Sequence, residues 1–366
     1  MNGERIAWFA TKGSGTNEAL RMEELLKDFP NAMELDFDKA AKWLSFKRLL
    51  RRIKQLKPNL LVMEGTGIAG GAACLLSWLF SGIPYVVSSG DAVGPFFRGE
   101  HPILGWVFEL YEWTLCRLCA GFIGWTPYLC GRAMTFGAPR AMTAEGWVQD
   151  KEASSEARGS LRAKWGVPLG ATVVGLIGSL AWNARRSYCY GMELVEAARR
   201  SRSERAVCVI IGEGTGLQRL KERAGDIIGT KVFFPGPIPG NQVLAALSAF
   251  DGAVLPQSRD GVGMFRYSTK LSEYLASGVS IAINRIPAAY DLRIPNLSRL
   301  PGSAPWDPLF HQALAEWMDS LKARERSLPA PSLDSGCFNR EAQRARVHAF
   351  VSDLLHELLL AARTPR

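Results

Sequence analysis

One feature of the chain constrains its fold more than any other. Short apolar strands alternate with helix-forming stretches through the first half, and the same alternation then starts again. In the first half, residues 5–10 read as a strand, Gly13-Ser-Gly15-Thr16 as a turn and residues 17–27 as a helix. Residues 32–37 predict a second strand, 42–56 a helix and 59–64 a third strand. A helix over 69–80, a strand over 83–88 and a long helical tract over 103–118 follow. Apolar strands separated by helices of this length predict an α/β fold with a parallel sheet covered on both faces.

The second half repeats the pattern with strands at 172–177, 207–211, 232–234, 252–255 and 279–283. Helices are predicted between them at 192–200, 217–224, 242–247 and 268–277. The chain then turns proline-rich (287, 295, 301, 305, 308, 329 and 331) and ends in a helix over 340–360. A polar stretch at 149–161 reads as the boundary, and 366 residues suit two domains at about 150 each. The predicted organisation is a Rossmann-like domain over 1–160, a second over 161–338, and a terminal helix over 339–366 packing back on the first. Two such halves place a ligand at the C-terminal strand edges, facing a central cleft.

Charge says what kind of ligand. Lys and Arg number 44 against 35 Asp and Glu, a formal net charge of +9. That excess points to nucleic acid, a membrane surface or a phosphorylated substrate. No nucleic-acid-binding module is present in the pattern, which disfavours the first. With 22% charged and 47% apolar residues, disordered, collagen-like and coiled-coil classes are excluded. The first ten residues lack a signal-peptide pattern, and seven scattered cysteines suit a reducing cytoplasm. Cys116-x-x-Cys119 lies in an apolar stretch and reads as buried thiols. The four histidines show no metal spacing, so no metal site is expected.

Several weaker signals have two readings each. Residues 65–90 carry no charge, long enough for a membrane span, but glycines and Pro84 divide them into a buried helix and strand. Gly65-x-Gly67-x-x-Gly70, with Asp91 about 20 residues on, suits an NAD- or FAD-binding oxidoreductase. Against that, two strands already precede it. Asp36-Phe-Asp38 matches a metal-binding DxD but reads as a turn. Residues 42–57, a basic amphipathic helix with Trp43, suit either an anionic membrane surface or a solvated sheet-covering helix. The aromatic residues between Phe96 and Trp125 suit either a lipid-linked acceptor surface or core.

The block that carries chemistry runs from Pro256 to Gly278. It reads as strand end, Gly-containing loop, helix start and Gly stop. Ser268 and Thr269 stand where a cap belongs, leaving backbone N–H groups that suit phosphate. Lys270 adds a full charge, and Glu273 follows one turn on, placed to accept from ribose hydroxyls.

This block resembles the family 4 glycosyltransferases of the GT-B fold, whose C-terminal halves carry a Ser-Pro-x-Lys-x-x-Glu-Tyr-x-Ala-x-Gly-like segment. Gly175-Leu-Ile-Gly-Ser-Leu180, Val209-Ile-Ile-Gly-Glu-Gly214 and Val232-Phe-Phe-Pro-Gly236 resemble further family blocks in the family's order, over about 110 residues. The resemblance implies retention of anomeric configuration and a nucleotide diphosphate-sugar as substrate, with no other cofactor and no metal. The first domain would take a glycan, lipid-linked or small-molecule acceptor. It implies that Glu273 binds ribose, and that Ser268, Thr269 and Lys270 bind the diphosphate. The base would lie near Gly212 and Gly214, with Gly178, Gly13 and Gly15 at donor-side turns. Arg185 and Arg186 would neutralise the leaving diphosphate, and Asp91 would contact acceptor or sugar.

Three positions depart from the family. Phe265 stands where an acid is common eight residues before Glu273, Tyr190-Gly191 replaces a Lys-Gly, and Gly90-Asp91 stands where many relatives carry a histidine. These departures keep a non-catalytic relative open beside the enzyme.

Overall fold

The computed structural model describes residues 5–147, 158–266, 268, 270–291, 296–322 and 338–363. They form two compact units: residues 5–147, 265–266 and 338–363 make up the first, and the rest the second.

The first unit begins β1 (Ile6–Ala10), α1 (Asn17–Leu25), β2 (Ala32–Glu34), α2 (Lys42–Leu56), β3 (Leu60–Glu64) and α3 (Ile68–Ser81). It continues β4 (Tyr85–Ser89), α4 (Val93–Glu100), α5 (Pro102–Arg117), β5 (Gly121–Gly124), α6 (Pro127–Thr135) and β6 (Ala141–Thr143). Among the described residues, the strands form one parallel six-stranded sheet in the order β2-β1-β3-β4-β5-β6.

The second unit runs α7 (Arg158–Lys164), β7 (Thr172–Ile177), α8 (Met192–Arg200), β8 (Ala206–Ile211), α9 (Leu217–Ala224), β9 (Val232–Gly236) and α10 (Val243–Ser248). It continues β10 (Gly252–Leu255), α11 (Lys270–Ser277), β11 (Ser280–Asn284), α12 (Ala288–Asp291), β12 (Leu297–Leu300) and α13 (Pro308–Ser320). Its described strands also form a parallel six-stranded sheet, ordered β12-β11-β10-β7-β8-β9. The chain closes with α14 (Arg340–Arg363) in the first unit. This is the α/β architecture the alternation predicts.

Side-chain burial explains the layers. β1, β3 and β4 are buried along their whole length, so each must be covered on both faces. On one face lie Leu49 and Ile53 of α2, Ala73 and Cys74 of α3, and Leu115 of α5. On the other, Met22 and Leu25 of α1 meet Val347, Val351 and Leu354 of α14. The four- and three-residue steps between those last three are one face of a helix, and each buried side chain contributes roughly 1.5–3 kcal/mol. Arg344 of α14 adds 3.0 Å contacts to Glu24 and Asp28.

Several elements differ from the sequence reading, which assigned none to the stretches that form α4, β5, α6, β6, α7, α12, β12 and α13. β2 stops at Glu34, and a turn opens at Asp38, whose carboxylate accepts from Ala40 N at 2.8 Å. β5 is four residues long with glycines at both ends, so its two strand-forming residues, Phe122 and Ile123, are too short a run to mark a strand. In the proline-rich tract, α13 starts with Pro308 in its first turn and Asp307 as its cap, where proline starts a helix rather than breaking it. The charge-free stretch 65–90 is α3 plus β4. No helix among the described residues is long and apolar enough to cross a membrane. Residues 149–157 of the expected boundary lie outside the described residues, and α7 is tied to the second sheet through Asp251, which holds Arg162 and Val173 N at 2.7 Å.

Candidate functional site

In the second unit, β7 and β10 are neighbours, and both deliver their C-terminal ends to one place. The chain leaves β10 through residues 256–268 and enters α11 at Lys270, whose N–H donates to Ser268 Oγ at 3.4 Å. The Lys270 side chain then crosses Gly178, the residue that follows β7. A Cβ at Gly178 would stand 2.8 Å from Lys270 Cε and 3.0 Å from Nζ, so only glycine leaves that path open. The ammonium lies 5.9 Å from the Tyr190 ring centroid. Gly178, Tyr190, Pro256, Gln257, Ser268 and Lys270 line one small recess. Glu273 follows on α11, half-buried, while Tyr274 turns inward and donates to Val254 O at 3.3 Å. Thr269 lies outside the described residues.

Gly212 and Gly214 serve close backbone approach. Gly178 N donates to Ile211 O at 3.0 Å and Leu180 N to Glu213 O at 2.8 Å. A Cβ at Gly214 would lie 2.6 Å from Leu180 O. The strand ends of β7 and β8 therefore run flush where Gly178 meets Lys270.

Arg185 and Arg186 sit on an exposed turn closed by Asn183 N to Tyr188 O at 2.8 Å and the reverse bond at 3.2 Å. Arg186 reaches Asp260 at 3.6 Å, and its guanidinium lies 5.1 Å from the Trp306 ring centroid. Burial raises the Asp260 carboxyl, but the N–H groups of Gly263 and Val262 at 2.9 and 3.0 Å, with Arg186, hold it below the usual range.

Beneath that turn lies a group the sequence reading missed. Glu193, in the first turn of α8, is 0% exposed. It accepts from Tyr188 OH at 2.7 Å and Gly191 N at 3.0 Å. Burial pushes its carboxyl up to about 7 against those hydrogen bonds. Tyr188 in turn packs edge-on against Tyr190 and Trp306. An acid in a helix's first turn is ordinarily a solvated cap, so nothing in its spacing marks this one as buried.

The remaining predicted residues belong to the first unit. Gly13 and Gly15 turn the chain after β1 with φ of +116° and +73°, and Thr16 caps α1. Asp91 follows β4, its carbonyl accepting from Ser89 Oγ at 2.9 Å and its carboxylate 3.1 Å from Arg266 Nε. Phe265 is held by its own contacts: its carbonyl accepts from Thr126 Oγ1 at 2.6 Å and its ring lies 5.3 Å from the Arg132 guanidinium. β1 and β4 are separated by β3 in the sheet.

A second missed cluster joins β3 and β4. Arg21 of α1, 6% exposed, reaches Glu64 at 2.9 Å, Ser88 Oγ at 3.3 Å and Ala144 O at 2.6 Å. Its guanidinium lies 4.6 Å from the Trp125 ring centroid, and Trp125 Nε1 donates to Glu64 at 3.3 Å. Burial raises the Glu64 carboxyl more than Arg21 and the hydrogen bonds lower it.

The dinucleotide-like glycines have a packing role. A Cβ at Gly67 would lie 2.9 Å from Thr11 Cβ, and one at Gly70 would lie 2.6 Å from Thr11 Cγ2. All three glycines let the start of α3 pack closely on Thr11 at the end of β1. Cys116 and Cys119 are buried, and burial pushes the Cys119 thiol up to about 12. Among the described residues, no group of three or more His, Cys, Asp or Glu is placed to hold a metal ion.

No protein-family model and no curated protein matches the sequence. Solved structures do match. Anabaena Alr3699/HepE in complex with UDP and glucose superposes with a TM-score of 0.71 at 13% identity, covering 95% of this chain and 99% of that one. A Burkholderia xenovorans α,α-trehalose-phosphate synthase (UDP-forming), in complex with glucose-6-phosphate, gives 0.64 at 11% identity, covering 96% and 99%. Sucrose-phosphate synthase from Thermosynechococcus elongatus gives 0.61 at 12% identity, covering 98% of each. At these identities the likeness establishes the fold: two parallel six-stranded sheets with flanking helices, the GT-B architecture.

Proposed function

We propose that the chain is a glycosyltransferase that moves a sugar from a nucleoside diphosphate donor to an acceptor. The donor is held by the second unit. The observation that carries the reading is the seating of Lys270 over Gly178, at the start of α11 and beside Ser268. A cation, a helix start and a side-chain-free strand end together suit a diphosphate. In this reading Ser268, Thr269 and Lys270 take the diphosphate, Glu273 the ribose, and the Gly212–Gly214 turn the base. As the sugar–phosphate bond breaks, the leaving diphosphate gains negative charge, and Lys270, Arg185 and Arg186 supply preorganised positive potential there. Asp91 contacts acceptor or sugar from the first unit, which takes a glycan, lipid-linked or small-molecule acceptor. Retention of configuration and independence from metal follow the family resemblance. UDP is the first nucleotide to try, since the Anabaena neighbour was solved with it.

A second reading is favoured by Phe265, which fills the position of a common family acid and is engaged by Thr126 and Arg132. There the chain binds nucleotide without transferring sugar. Isothermal titration with UDP, GDP, ADP and TDP, followed by assay of the matching nucleotide-sugars for hydrolysis or transfer, separates the two. Binding with turnover supports the transferase, and binding without turnover supports the second reading. If no nucleoside diphosphate binds, or if Glu273→Ala leaves the affinity unchanged, the donor site is misplaced.

A further inference from the structure

Helix α5 turns an apolar stripe to solvent, while Leu115 and Cys116 near its end are buried in the core. Its carboxylates face inward: Glu112 is buried, with Arg132 Nε at 2.9 Å and Gly94 N at 2.8 Å, and Glu109 lies 3.6 Å from Arg132. The opposite stripe is Ile103, Trp106, Val107, Leu110 and Trp113, with Ile103 85%, Trp106 69% and Leu110 64% exposed. Steps of three and four residues make these one continuous helix face. Apolar area on this scale is unfavourable in water and marks a surface that something covers.

The neighbouring helices extend it. Tyr111 of α5 donates to Gly67 O at 3.2 Å and fills the space beside Gly71, so the start of α3 meets α5, and both helices cover one face of the sheet. α3 has no charged residue and ends in exposed Trp78, Leu79 and Phe80. α2 packs against α3 and covers the same sheet face. Its solvent side carries Lys42, Lys47, Arg48, Arg51, Arg52 and Lys54, with exposed Trp43 and Leu44 and no acid on the helix.

We propose that the α2–α3–α5 face docks the protein on the surface of an anionic lipid bilayer. The apolar stripe of α5 and the end of α3 enter the headgroup–acyl boundary, and the cations of α2 pair with lipid phosphates. Charge complementarity selects this occupant: a neutral apolar helix flanked by a wholly basic one matches an anionic headgroup layer over hydrocarbon. Tryptophans suit that boundary, with an apolar ring body and one N–H donor. A protein partner fits less well, because lysine is depleted at protein–protein interfaces and α2 presents three. The docking needs nothing from the second unit, so it stands or falls separately from the proposed sugar transfer.

The test is co-sedimentation of the full chain with vesicles of phosphatidylcholine alone and of equal parts phosphatidylcholine and phosphatidylglycerol. The wild type pellets with the mixed vesicles, its tryptophan emission shifts to the blue, and added salt weakens the binding. Removing two cations by Arg51→Gln with Arg52→Gln lowers the partition coefficient by about thirtyfold. Ile103→Ser with Leu110→Ser lowers it by at least about tenfold. These side chains are exposed, and an unchanged thermal midpoint verifies that each variant folds. The proposal is overturned if the wild type stays in the supernatant with mixed vesicles, or if both variants bind as the wild type does. A wild type that dimerises without binding vesicles, and that Ile103→Ser with Leu110→Ser returns to monomer, overturns it too and assigns the face to a second copy.

Discussion

Lys270 lies across the α-carbon of Gly178, where a Cβ would stand 2.8 Å from its Cε and 3.0 Å from its Nζ. The end of one strand thus sets where the cation at the start of a helix points. Gly178→Ala should push the far end of a flexible side chain aside at little cost to stability. The expected outcome is a UDP dissociation constant raised about tenfold, or ~1.4 kcal/mol, with the thermal midpoint nearly unmoved. Lys270→Ala should weaken binding at least as much. Titration calorimetry on both variants decides it: wild-type affinity in Gly178→Ala would mean that Lys270 does not need this path.

Glu193 makes the protein's stability depend on pH in a stated direction. Its carboxyl is raised from an ordinary value of 4.5 to about 7 by burial, so the folded state favours the protonated form. An acid with a raised folded pKa contributes fully below its unfolded value, and that contribution is lost as pH rises through the folded one. The window therefore runs from about pH 4.5 to about 7, and the loss is about 3 kcal/mol. Glu193→Gln removes the titration while keeping an acceptor for Gly191 N. Urea denaturation at pH 5 and pH 8 should show the wild type losing more stability between them than the variant does. Equal losses would show that Glu193 does not titrate in this range.

How much of this was legible in the sequence depends on what each feature rests on. The two α/β halves were legible because every βα unit writes its own apolar run and helix. The Lys270–Glu273 spacing was legible because both residues lie on one helix. Lys270 meeting Gly178, 92 positions away, is set by β7 lying beside β10, which local pattern does not encode. Arg21 reads as one more charge on a surface helix until β3 and β4 bring Glu64 and Ser88 beneath it. The three glycines at 65, 67 and 70 show the converse. Their spacing suits a dinucleotide, yet what they accommodate is the Thr11 side chain.

The buried Arg21–Glu64 pair allows a charge test. Both side chains are almost wholly buried, 6% and 1% exposed, and the pair is joined by Ser88, Trp125 and Ala144 O. Arg21→Met leaves a carboxyl buried without its counter-charge, which costs about 3–5 kcal/mol near neutral pH. Adding Glu64→Gln removes the stranded charge, so the double variant should be less destabilised than the sum of the singles, with a coupling of about 1–3 kcal/mol. The pH dependence separates charge from packing. Without Arg21 the Glu64 carboxyl, already raised by burial, rises further. Its penalty is then present at high pH and lifts as the group protonates on acidification. Denaturation of Arg21→Met and wild type at pH 8 and pH 5 should show the deficit shrinking at the lower pH. A deficit that stays constant across that range would assign Arg21 to packing alone.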